Sequence, residues 1–373
     1  MRAMTQFTLA LLATLALAAP ALAQIRVGQT AGFSGPAAGA VNEASEGARL
    51  YFNAVNSRGG IGGQKIELVS MDDKLEVPLA VSNAKALIGQ GVIALFLTRG
   101  TPHNQALMPL LTEARIPLVG PSTGAMALHE PVHPWLFNVR ATYQREAERA
   151  ITHLLQIGVQ RIALVQVDDS FGEDAARGVL KGFGSGRQPV AHEKYDRSKP
   201  NFAPIMPKIL GADPQAVMFI GTGTTVADGM KALRAAGSKA QLLTLSNNAS
   251  GGFVKSLGEV ARGVIISQVL PAERALGTPM VKEAHDLARN LGKSAPEITP
   301  ALLEGFASAK VLVEGLRRAA AAKDLSRNGL QKALETLNHY DLGGLELSYS
   351  ATDHTGLDYA DLSIIGADGR FRR

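Results

Sequence analysis

Hydrophobic residues in this chain gather in short unbroken runs that alternate with amphipathic stretches. From residue 24 onward, a run such as RIALVQVDD is followed by a segment such as EDAARGVLKGF, whose apolar positions recur at helical spacing. Unbroken Val, Ile and Leu runs are typical of strands buried on both faces of a parallel sheet. The alternation therefore predicts an α/β fold built from strand–helix units.

These units form two series along the chain. The first begins with IRVGQTAGF, where Asn42 is expected to cap the first helix, and the second begins with RIALVQVDD. Two series of this kind predict two doubly wound parallel-sheet lobes. A late helix, ALLEGFASAKVLVEGLRRAAAA, and a polar, glycine-rich tail from residue 343 to 373 belong to neither series. Periodicity alone does not say which lobe they complete.

Length and composition also favour two hydrophobic cores. The chain has 373 residues, which exceeds the usual size of one domain. Hydrophobic residues make up 46% and charged residues 19%, which excludes a disordered chain. The formal net charge is +5, but the Lys and Arg residues are scattered, so we expect no nucleic-acid partner.

The first 23 residues have the organisation of a secretory signal peptide. Arg2 gives a positive start, an apolar run follows, and Ala21-Leu22-Ala23 is an A-x-A cleavage site. We therefore expect cleavage after Ala23 and export, most simply to a bacterial periplasm. The chain has no cysteine, which excludes disulfides and an N-terminal lipidated Cys.

Glycine and small polar residues collect where the predicted strands end. In open α/β sheets, ligands bind beyond the carboxyl ends of the strands, and helix N-termini there favour anions. Any one of these residues is explained as a helix N-cap, but their recurrence in both series favours a ligand site for a small carboxylate. The segments are Asp72-Asp73, Thr98–Thr101, Gly120–Gly124, Asp168–Phe171, Gly221–Thr225 and Ser246–Asn248.

One of these strand ends carries the pattern of a catalytic serine. Residues 120–124, GPSTG, satisfy G-x-S-x-G, the nucleophile elbow of serine hydrolases. Such an enzyme needs an acid and then a His later in the chain, and nothing singles out His339 or His354 for that role. A loop that only donates hydrogen bonds to a ligand has the same composition. Ser122 is thus either a nucleophile or a donor, and the two-sheet pattern favours the donor.

Three further patterns are weak. His129-Glu130-Pro131-Val132-His133 matches H-E-x-x-H, but Pro131 breaks the helix that a zinc site needs, so both histidines are expected in a surface loop. Residues 221–226 lack the third glycine of a dinucleotide fingerprint. The two acid doublets suit helix capping and ligand contact better than Mg²⁺ binding. We expect no catalytic residue, metal or cofactor.

At this point the residues show a family likeness that covers essentially the whole chain after residue 23. The sequence resembles the substrate-binding proteins of ABC transporters in the branched-chain amino-acid (leucine/isoleucine/valine-binding) family. The turn Arg58-Gly59-Gly60-Ile61 and the strand ending in Asp72-Asp73 are its most recognisable features. The stretches that carry it include GFSGPAAG, GARLYFNAVNSRGGIGGQKIELVSMDD, GVIALFLTRGTPHNQA, ARIPLVGPSTGAMAL, LFNVRATYQREAE and RIALVQVDDSFGEDAARG.

The resemblance implies a type I periplasmic binding fold, in which two doubly wound parallel-sheet lobes are joined by three hinge crossovers and close over a ligand. The first lobe would comprise residues 24–140 plus 270–341, and the second residues 141–269 plus 342–373. The crossovers would lie near Arg140–Tyr143, Ser267–Pro271 and Asp341–Gly344. The late helix would return to the first lobe and the tail to the second.

The resemblance also implies a ligand site between the lobes. Loops of the first lobe would hold a carboxylate through backbone N–H groups and hydroxyls, an aromatic residue would close over the ligand, and second-lobe loops would touch it on closure. The residues at the matching positions are Gly100, Thr101, Ser122, Thr123, Gly124, Tyr143, Phe171, Thr224, Ser246 and Asn247.

Two departures from the family put an amino-acid ligand in doubt. The amino-acid binders keep an acid in the second-lobe loop that here reads Ser246-Asn247-Asn248, and a buried ammonium without an anion is costly. Asp169 would have to substitute for it. The position near Ala40, often aromatic, is small, which leaves room for a bulkier ligand. Arg99 could add a charge to the site, but it is expected to be a solvated residue at the rim.

The sequence and the resemblance together predict a periplasmic solute-binding protein and not an enzyme, and the resemblance implies a monomer. It would capture a small carboxylate-bearing solute, either an amino acid or an amino-free aliphatic or aromatic acid, and present it to ABC permease membrane subunits. Two alternatives stay open: a module that reports a ligand to a receptor, and a secreted serine hydrolase that uses Ser122.

Overall fold

The structure is a computed structural model that describes residues 24–373. The expected signal peptide, residues 1–23, lies outside the described residues. No helix within the described part is both long and apolar enough to span a bilayer.

Strands and helices alternate along the described chain as the hydrophobic pattern predicts. The strands are β1 (Ile25–Ala31), β2 (Ile66–Asp72), β3 (Ala94–Phe96), β4 (Leu118–Val119), β5 (Leu136–Phe137), β6 (Ile162–Val167), β7 (His192–Tyr195), β8 (Ala216–Ile220), β9 (Gln241–Thr244), β10 (Ile265–Gln268), β11 (Tyr340–Asp341), β12 (Glu346–Leu347), β13 (Asp361–Ile365) and β14 (Phe371–Arg372). The helices are α1 (Ala38–Ser57), α2 (Val77–Gly89), α3 (Thr101–Ala114), α4 (Tyr143–Gln156), α5 (Ser170–Phe183), α6 (Met206–Gly211), α7 (Gly223–Ala235), α8 (Gly251–Leu257), α9 (Pro279–Arg289), α10 (Pro300–Ala321) and α11 (Arg327–Glu335).

The strands form one main sheet in each of two lobes. The first sheet has the order β2-β1-β3-β4-β5 and is parallel throughout, with Ile25 opposite Ile66 and Leu95 opposite Leu118. The second sheet has the order β14-β13-β10-β9-β8-β6-β7, in which β13 and β14 pair antiparallel and the others parallel. The parallel part of each sheet therefore repeats the same doubly wound order. The two predicted α/β lobes are confirmed.

The two longest helices, α1 and α10, cross at glycines on one face of the first sheet. A Cβ on Gly47 would lie 1.9 Å from the carbonyl oxygen of Leu302, and one on Gly305 would lie 1.7 Å from that of Ala44. Only a residue without a side chain permits this approach. The late helix thus completes the first lobe, although it lies far along the chain from the strands it covers.

The N-terminus of α1 differs from the expectation. Asn42 was expected to cap this helix, but the helix begins one turn earlier, at Ala38. The Asn42 side chain instead donates to the carbonyl oxygens of Phe33 and Ala38. Small residues from Ala37 to Ala40 allow the first turn to form without a side-chain cap.

The return of the tail to the second lobe also differs from the expectation. The crossover was expected near Asp341–Gly344, but Leu342, Leu347, Tyr349 and Leu357 are buried in the hydrophobic cluster of the first lobe. The chain joins the second sheet only at β13. Burial of these four apolar side chains holds the hairpin of β11 and β12 on the first lobe, so the structure places the crossover after Leu357.

The crossing of α1 and α10 gives a stability prediction. Gly305→Ala should lower the free energy of unfolding by about 1–3 kcal/mol, because the new Cβ must push apart two packed backbones. Urea unfolding followed by circular dichroism would measure this change.

The matched control is Gly89→Ala at the end of α2, where a Cβ would meet nothing within 4 Å. That variant should be neutral or more stable by up to about 1 kcal/mol, since Ala favours helix over Gly. Equal stability of the two variants would show that the helices do not cross as described.

Candidate ligand-binding site

The carboxyl ends of both parallel sheets face each other across the gap between the lobes. Loops after β3 and β4 come from the first lobe, and loops after β8 and β9 come from the second. Each loop runs directly into a helix or a 3₁₀ turn, so small polar side chains and backbone N–H groups converge there. This is the location that the topology predicts for a ligand.

Arg99 lies at the centre of this gap and not at its rim, so the expectation of a solvated residue is wrong. Its side chain is buried, with 5% of the residue exposed. Its Nη1 donates to Ser122 Oγ (2.9 Å) and its Nη2 donates to the carbonyl oxygen of Asn247 (2.6 Å). The loop from β3 ends in a bridge with the loop from β4, and this bridge turns Arg99 inward.

The hydrogen bonds of Ser122 show its structural role. Its Oγ donates to Glu304 Oε1 (2.7 Å) while accepting from Arg99. Glu304 lies on α10, whose return to the first lobe brings this acid behind the loop. Neither contact is with an imidazole, the general base of the Ser-His-Asp triad that the G-x-S-x-G pattern predicts. Ser122 therefore links a buried cation to a buried anion.

The other first-lobe residues of the predicted site form a rigid shelf beside Arg99. Thr101 Oγ1 and Thr123 Oγ1 share a hydrogen bond of 2.8 Å, and both residues are buried. Gly100 has φ of 92°, which favours glycine, and a Cβ there would lie 2.5 Å from the ring of His103. Gly124 permits the chain to pass close to the carbonyl oxygen of Ala141.

A buried charge network joins this site to the first crossover. Arg140 is 1% exposed and its guanidinium contacts Glu146 of α4, Glu304 of α10 (3.5 Å) and Ser246 Oγ. Burial alone would lower the pKa of Arg140, but the charges of Glu304 and Glu146 raise it above its ordinary value. Arg140 thus stays a cation that is shared by acids of both lobes.

The second-lobe loop after β9 is held in place from several sides. The backbone N–H of Ser246 donates to Glu146 Oε2 (2.9 Å) and to Ser267 Oγ (2.9 Å). Asn247 Nδ2 donates to the carbonyl oxygen of Gly221 (2.8 Å). The Oδ1 of Asn247 is buried and has no hydrogen-bond partner among residues 24–373.

Tyr143 and Phe171 lie deeper in the protein than expected for residues that close over a ligand. Their ring centroids are 4.6 Å apart, and each residue is 3% exposed. The guanidinium carbon of Arg140 lies 4.8 Å from the centroid of the Tyr143 ring. These aromatics pack the hinge side of the site, and the proposed role of Phe171 as a wall against the ligand stays a prediction.

A cavity of about 100 Å³ lies between the lobes beside Arg99. Of the ten predicted residues, Thr224 and Asn247 line this cavity, and Ser122 lines a second, smaller cleft that Arg99 also borders. The larger cavity is lined by Gly35, Pro36, Ala37, Ala38, Gly39, Ala40, Arg99, Gly223, Thr224, Asn247, Asn248, Ser250, Gly252, Phe253 and Ser256.

Backbone-to-backbone contacts between the lobes close one side of this cavity. A Cβ on Gly252 would lie 2.7 Å from the Cα of Gly39, and one on Gly223 would lie 1.7 Å from the carbonyl oxygen of Pro36. The same carbonyl oxygen accepts a hydrogen bond from the N–H of Thr224 (3.2 Å). The lobes can meet this closely only because glycines lie on both sides.

Glu43 of α1 adds a charged contact between the lobes. Its carboxylate accepts hydrogen bonds from the N–H groups of Gly251 (3.1 Å) and Gly252 (2.9 Å), at the N-terminus of α8, and from Thr299 Oγ1 (2.7 Å). Burial raises the pKa of Glu43, although these three hydrogen bonds oppose the shift. An acid of the first lobe is thereby bound to a helix of the second.

Asp169, the acid that would have to replace the family's missing carboxylate, is already paired. It lies 2.6 Å from Arg197 Nε and caps α5 by accepting from the N–H groups of Phe171 and Gly172. It does not line the cavity. The structure thus gives Asp169 a structural role and supplies no free carboxylate there.

The H-E-x-x-H match does not form a metal site. His129 is buried and not in a surface loop as expected, and it directly follows a 3₁₀ turn at Met126–Leu128. His133 lies beyond the turn at Pro131 and contacts Thr112. Among the described residues, no group of three or more His, Asp or Glu is arranged to hold an ion.

Sequence reasoning missed Glu304, Arg140 and the glycine contacts, and it misjudged Arg99. One signal was available: Glu304 is an acid within the otherwise apolar stretch PALLEGFASA. A charge in such a stretch is buried with a partner or not buried at all. No signal in the sequence paired Gly39 with Gly252, since they are far apart along the chain.

Comparisons with known proteins agree with this architecture. A family model described as periplasmic binding protein matches residues 24–366. The crystal structure of a substrate-binding periplasmic protein from Ralstonia solanacearum is 34% identical with a TM-score of 0.85, and the match covers 93% of this chain and 99% of that one.

Two further relatives carry names that state a ligand. The crystal structure of a possible leucine/isoleucine/valine-binding protein from Rhodopirellula baltica SH 1 is 25% identical with a TM-score of 0.87, covering 95% of this chain and 98% of that one. Leu/Ile/Val-binding protein homolog 3 of Brucella melitensis biotype 1 is 23% identical over 92% of each chain. These similarities confirm the type I periplasmic binding fold, and the relatives are named as binding proteins.

The buried ring of His103 gives a prediction on acid stability. The residue is 1% exposed, neither ring nitrogen has a hydrogen-bond partner in the described chain, and burial lowers the pKa of His103 to about 4. The unfolded chain takes up this proton near pH 6.5, so stability is lost as the pH falls from about 6.5 to 4.

The variant His103→Leu should lose less stability over that interval, by about 1.4 kcal/mol per pH unit. Urea unfolding of both proteins at several pH values would measure the two slopes. Parallel slopes would mean that His103 is not buried as a neutral ring.

Proposed function

This chain belongs to the periplasmic binding protein family, and from that premise we propose that it captures a small carboxylate-bearing solute between its lobes and presents it to ABC permease membrane subunits. The observation that carries the proposal is the cavity beside Arg99, which loops of both lobes line together. A ligand in this position is enclosed only when the lobes meet, so binding and closure are one event.

The chemistry of the first-lobe loops supports a carboxylate. The buried guanidinium of Arg99 and the hydroxyls of Thr101, Ser122 and Thr123 lie side by side, and charge-assisted hydrogen bonds to carboxylates are among the strongest in proteins. Two relatives are named for leucine, isoleucine and valine, which are solutes that carry this group. Gly124 and Tyr143 would hold these first-lobe loops against the first crossover.

The other predicted residues have distinct roles in this proposal. Thr224 and Asn247 would contact the ligand from the second lobe, because both line the cavity. Ser246 and Phe171 would act behind them by holding the loop and the hinge. The protein would work as a monomer in the periplasm, which agrees with the family's location and with the expected export of the chain.

The first test is thermal unfolding of the chain from residue 24 onward, after unfolding and refolding to remove bound solute. Amino acids, amides, and aliphatic and aromatic acids without an amino group would be compared. Binding to the native state raises the melting temperature by mass action. Carboxylates should raise it and the matching amides should not. A shift with amides alone, or with no compound, would contradict the proposal.

The glycine contact between the lobes predicts how closure supports affinity. Gly252→Ala should leave the melting temperature of the free protein unchanged or slightly higher, because Ala favours helix. Affinity for the best carboxylate should fall by about tenfold or more, since the new Cβ would lie 2.7 Å from Gly39 Cα in the closed arrangement.

Calorimetry would give the affinities, and small-angle X-ray scattering would report whether the ligand compacts the protein. Gly211→Ala is the control, because a Cβ at the end of α6 meets nothing within 4 Å. Full compaction and full affinity in Gly252→Ala would mean that the ligand is bound without this contact.

A further inference from the structure

The cavity between the lobes has an unusual charge pattern. Among the described residues that line it, Arg99 carries the one charge, and no Asp or Glu is present. Arg99 has no carboxylate oxygen within 4 Å in the described chain, and its two hydrogen bonds go to a hydroxyl and a carbonyl oxygen. A guanidinium keeps its charge in proteins, so this surface presents to a ligand a cation without a direct carboxylate partner.

The acids near the cavity are each occupied by protein donors. Glu43 accepts from the N-terminus of α8, and Asp169 accepts from Arg197 and from its own helix. Glu304 contacts Ser122 and Arg140, and Arg99 reaches it only through the serine hydroxyl. None of the three lines the cavity. A ligand ammonium would therefore be buried without a free anion, which is costly.

Asn247 supplies a second, independent observation. The residue is 3% exposed and lines the cavity, and its Oδ1 has no donor among residues 24–373. The amide orientation is fixed because Nδ2 must donate to the carbonyl oxygen of Gly221. A buried acceptor without a donor is costly, so this atom is suited to a ligand N–H or O–H group.

The two groups are adjacent. Arg99 Nη2 lies 2.6 Å from the main-chain oxygen of Asn247, the residue that bears the free acceptor. A ligand that satisfies both carries an anion and a hydrogen-bond donor close together, and the lack of a free acid at the cavity favours an uncharged donor. The small apolar wall from Ala37 to Ala40, together with Phe253, suits the hydrocarbon part of such a ligand.

We infer that the ligand is a carboxylate whose neighbouring polar group is an uncharged hydrogen-bond donor, as in a 2-hydroxy acid. Arg99 binds the carboxylate and Asn247 Oδ1 accepts from the hydroxyl. This inference rests on the proposed function, because it names the class of solute that the same cavity takes.

Two matched sets of compounds test it by calorimetry on the refolded chain from residue 24 onward. The aliphatic set is 2-hydroxy-4-methylpentanoate, 4-methylpentanoate and leucine, and the aromatic set is 3-phenyllactate, 3-phenylpropanoate and phenylalanine. Within at least one set, the hydroxy acid should bind about tenfold more tightly than the acid without the hydroxyl. It should also bind at least about tenfold more tightly than the amino acid.

Variants assign these preferences to the two side chains. Arg99→Gln should weaken binding of the hydroxy acid by about 30-fold or more, while Arg161→Gln, which changes an exposed arginine paired with Asp213, should not weaken it. Asn247→Ala should remove the advantage of the hydroxy acid over its hydroxyl-free analogue while the latter still binds. Melting temperatures would show that each variant is folded.

Each other outcome counts against the inference. Tighter binding of leucine or phenylalanine than of the hydroxy acid would overturn it, and so would full affinity in Arg99→Gln. If neither set binds while other carboxylates raise the melting temperature, this inference fails and the proposed function survives. If no carboxylate of any kind raises the melting temperature, both fail.

Discussion

The buried guanidinium of Arg140 is the interaction on which the geometry of both lobes depends. It lies on the crossover between them and contacts Glu146 of the second lobe and Glu304 of the first. Loss of one partner in such a group leaves a buried charge uncompensated, at a cost of about 3–5 kcal/mol. The positions of the site's loops depend on Arg140 and its partners, since Ser122 donates to Glu304 and Ser246 contacts Arg140. The hinge and the binding site are therefore one hydrogen-bonded unit.

The surface where the lobes meet follows a different principle, which is the near absence of side chains. Gly39, Gly223 and Gly252 bring main chains together directly, and small residues surround them. Backbone contact of this kind fixes a closed distance without long side chains that must be ordered first. Among the described residues that line the cavity, Arg99 has the one long, charged side chain. In the proposed site, selectivity would depend on this single charge and on the acceptors beside it.

Much of the fold could be predicted from the sequence, and the reasons are physical. Most parallel strands are buried on both faces, so their residues form apolar runs that are visible in the pattern of hydrophobic and polar positions. The loops at the strand ends followed from topology. The positions of Arg99 and Glu304 did not, because their burial depends on partners up to two hundred residues away along the chain. The late crossover was misplaced for the same reason: Leu357 and its neighbours are held by the first lobe, a contact that local sequence does not show.

The return of α10 to the first lobe also constrains the order in which the two lobes can fold during synthesis. The strands of the first sheet leave the ribosome early, but the helix that covers one of their faces follows only at residues 300–321. Until then α1 lacks the partner against which Gly47 is packed. The second lobe has its parallel strands within residues 162–268, so it can assemble sooner. Completion of the first lobe is therefore delayed until most of the chain has been synthesised, so the N-terminal strands stay without one of their covering helices during most of synthesis.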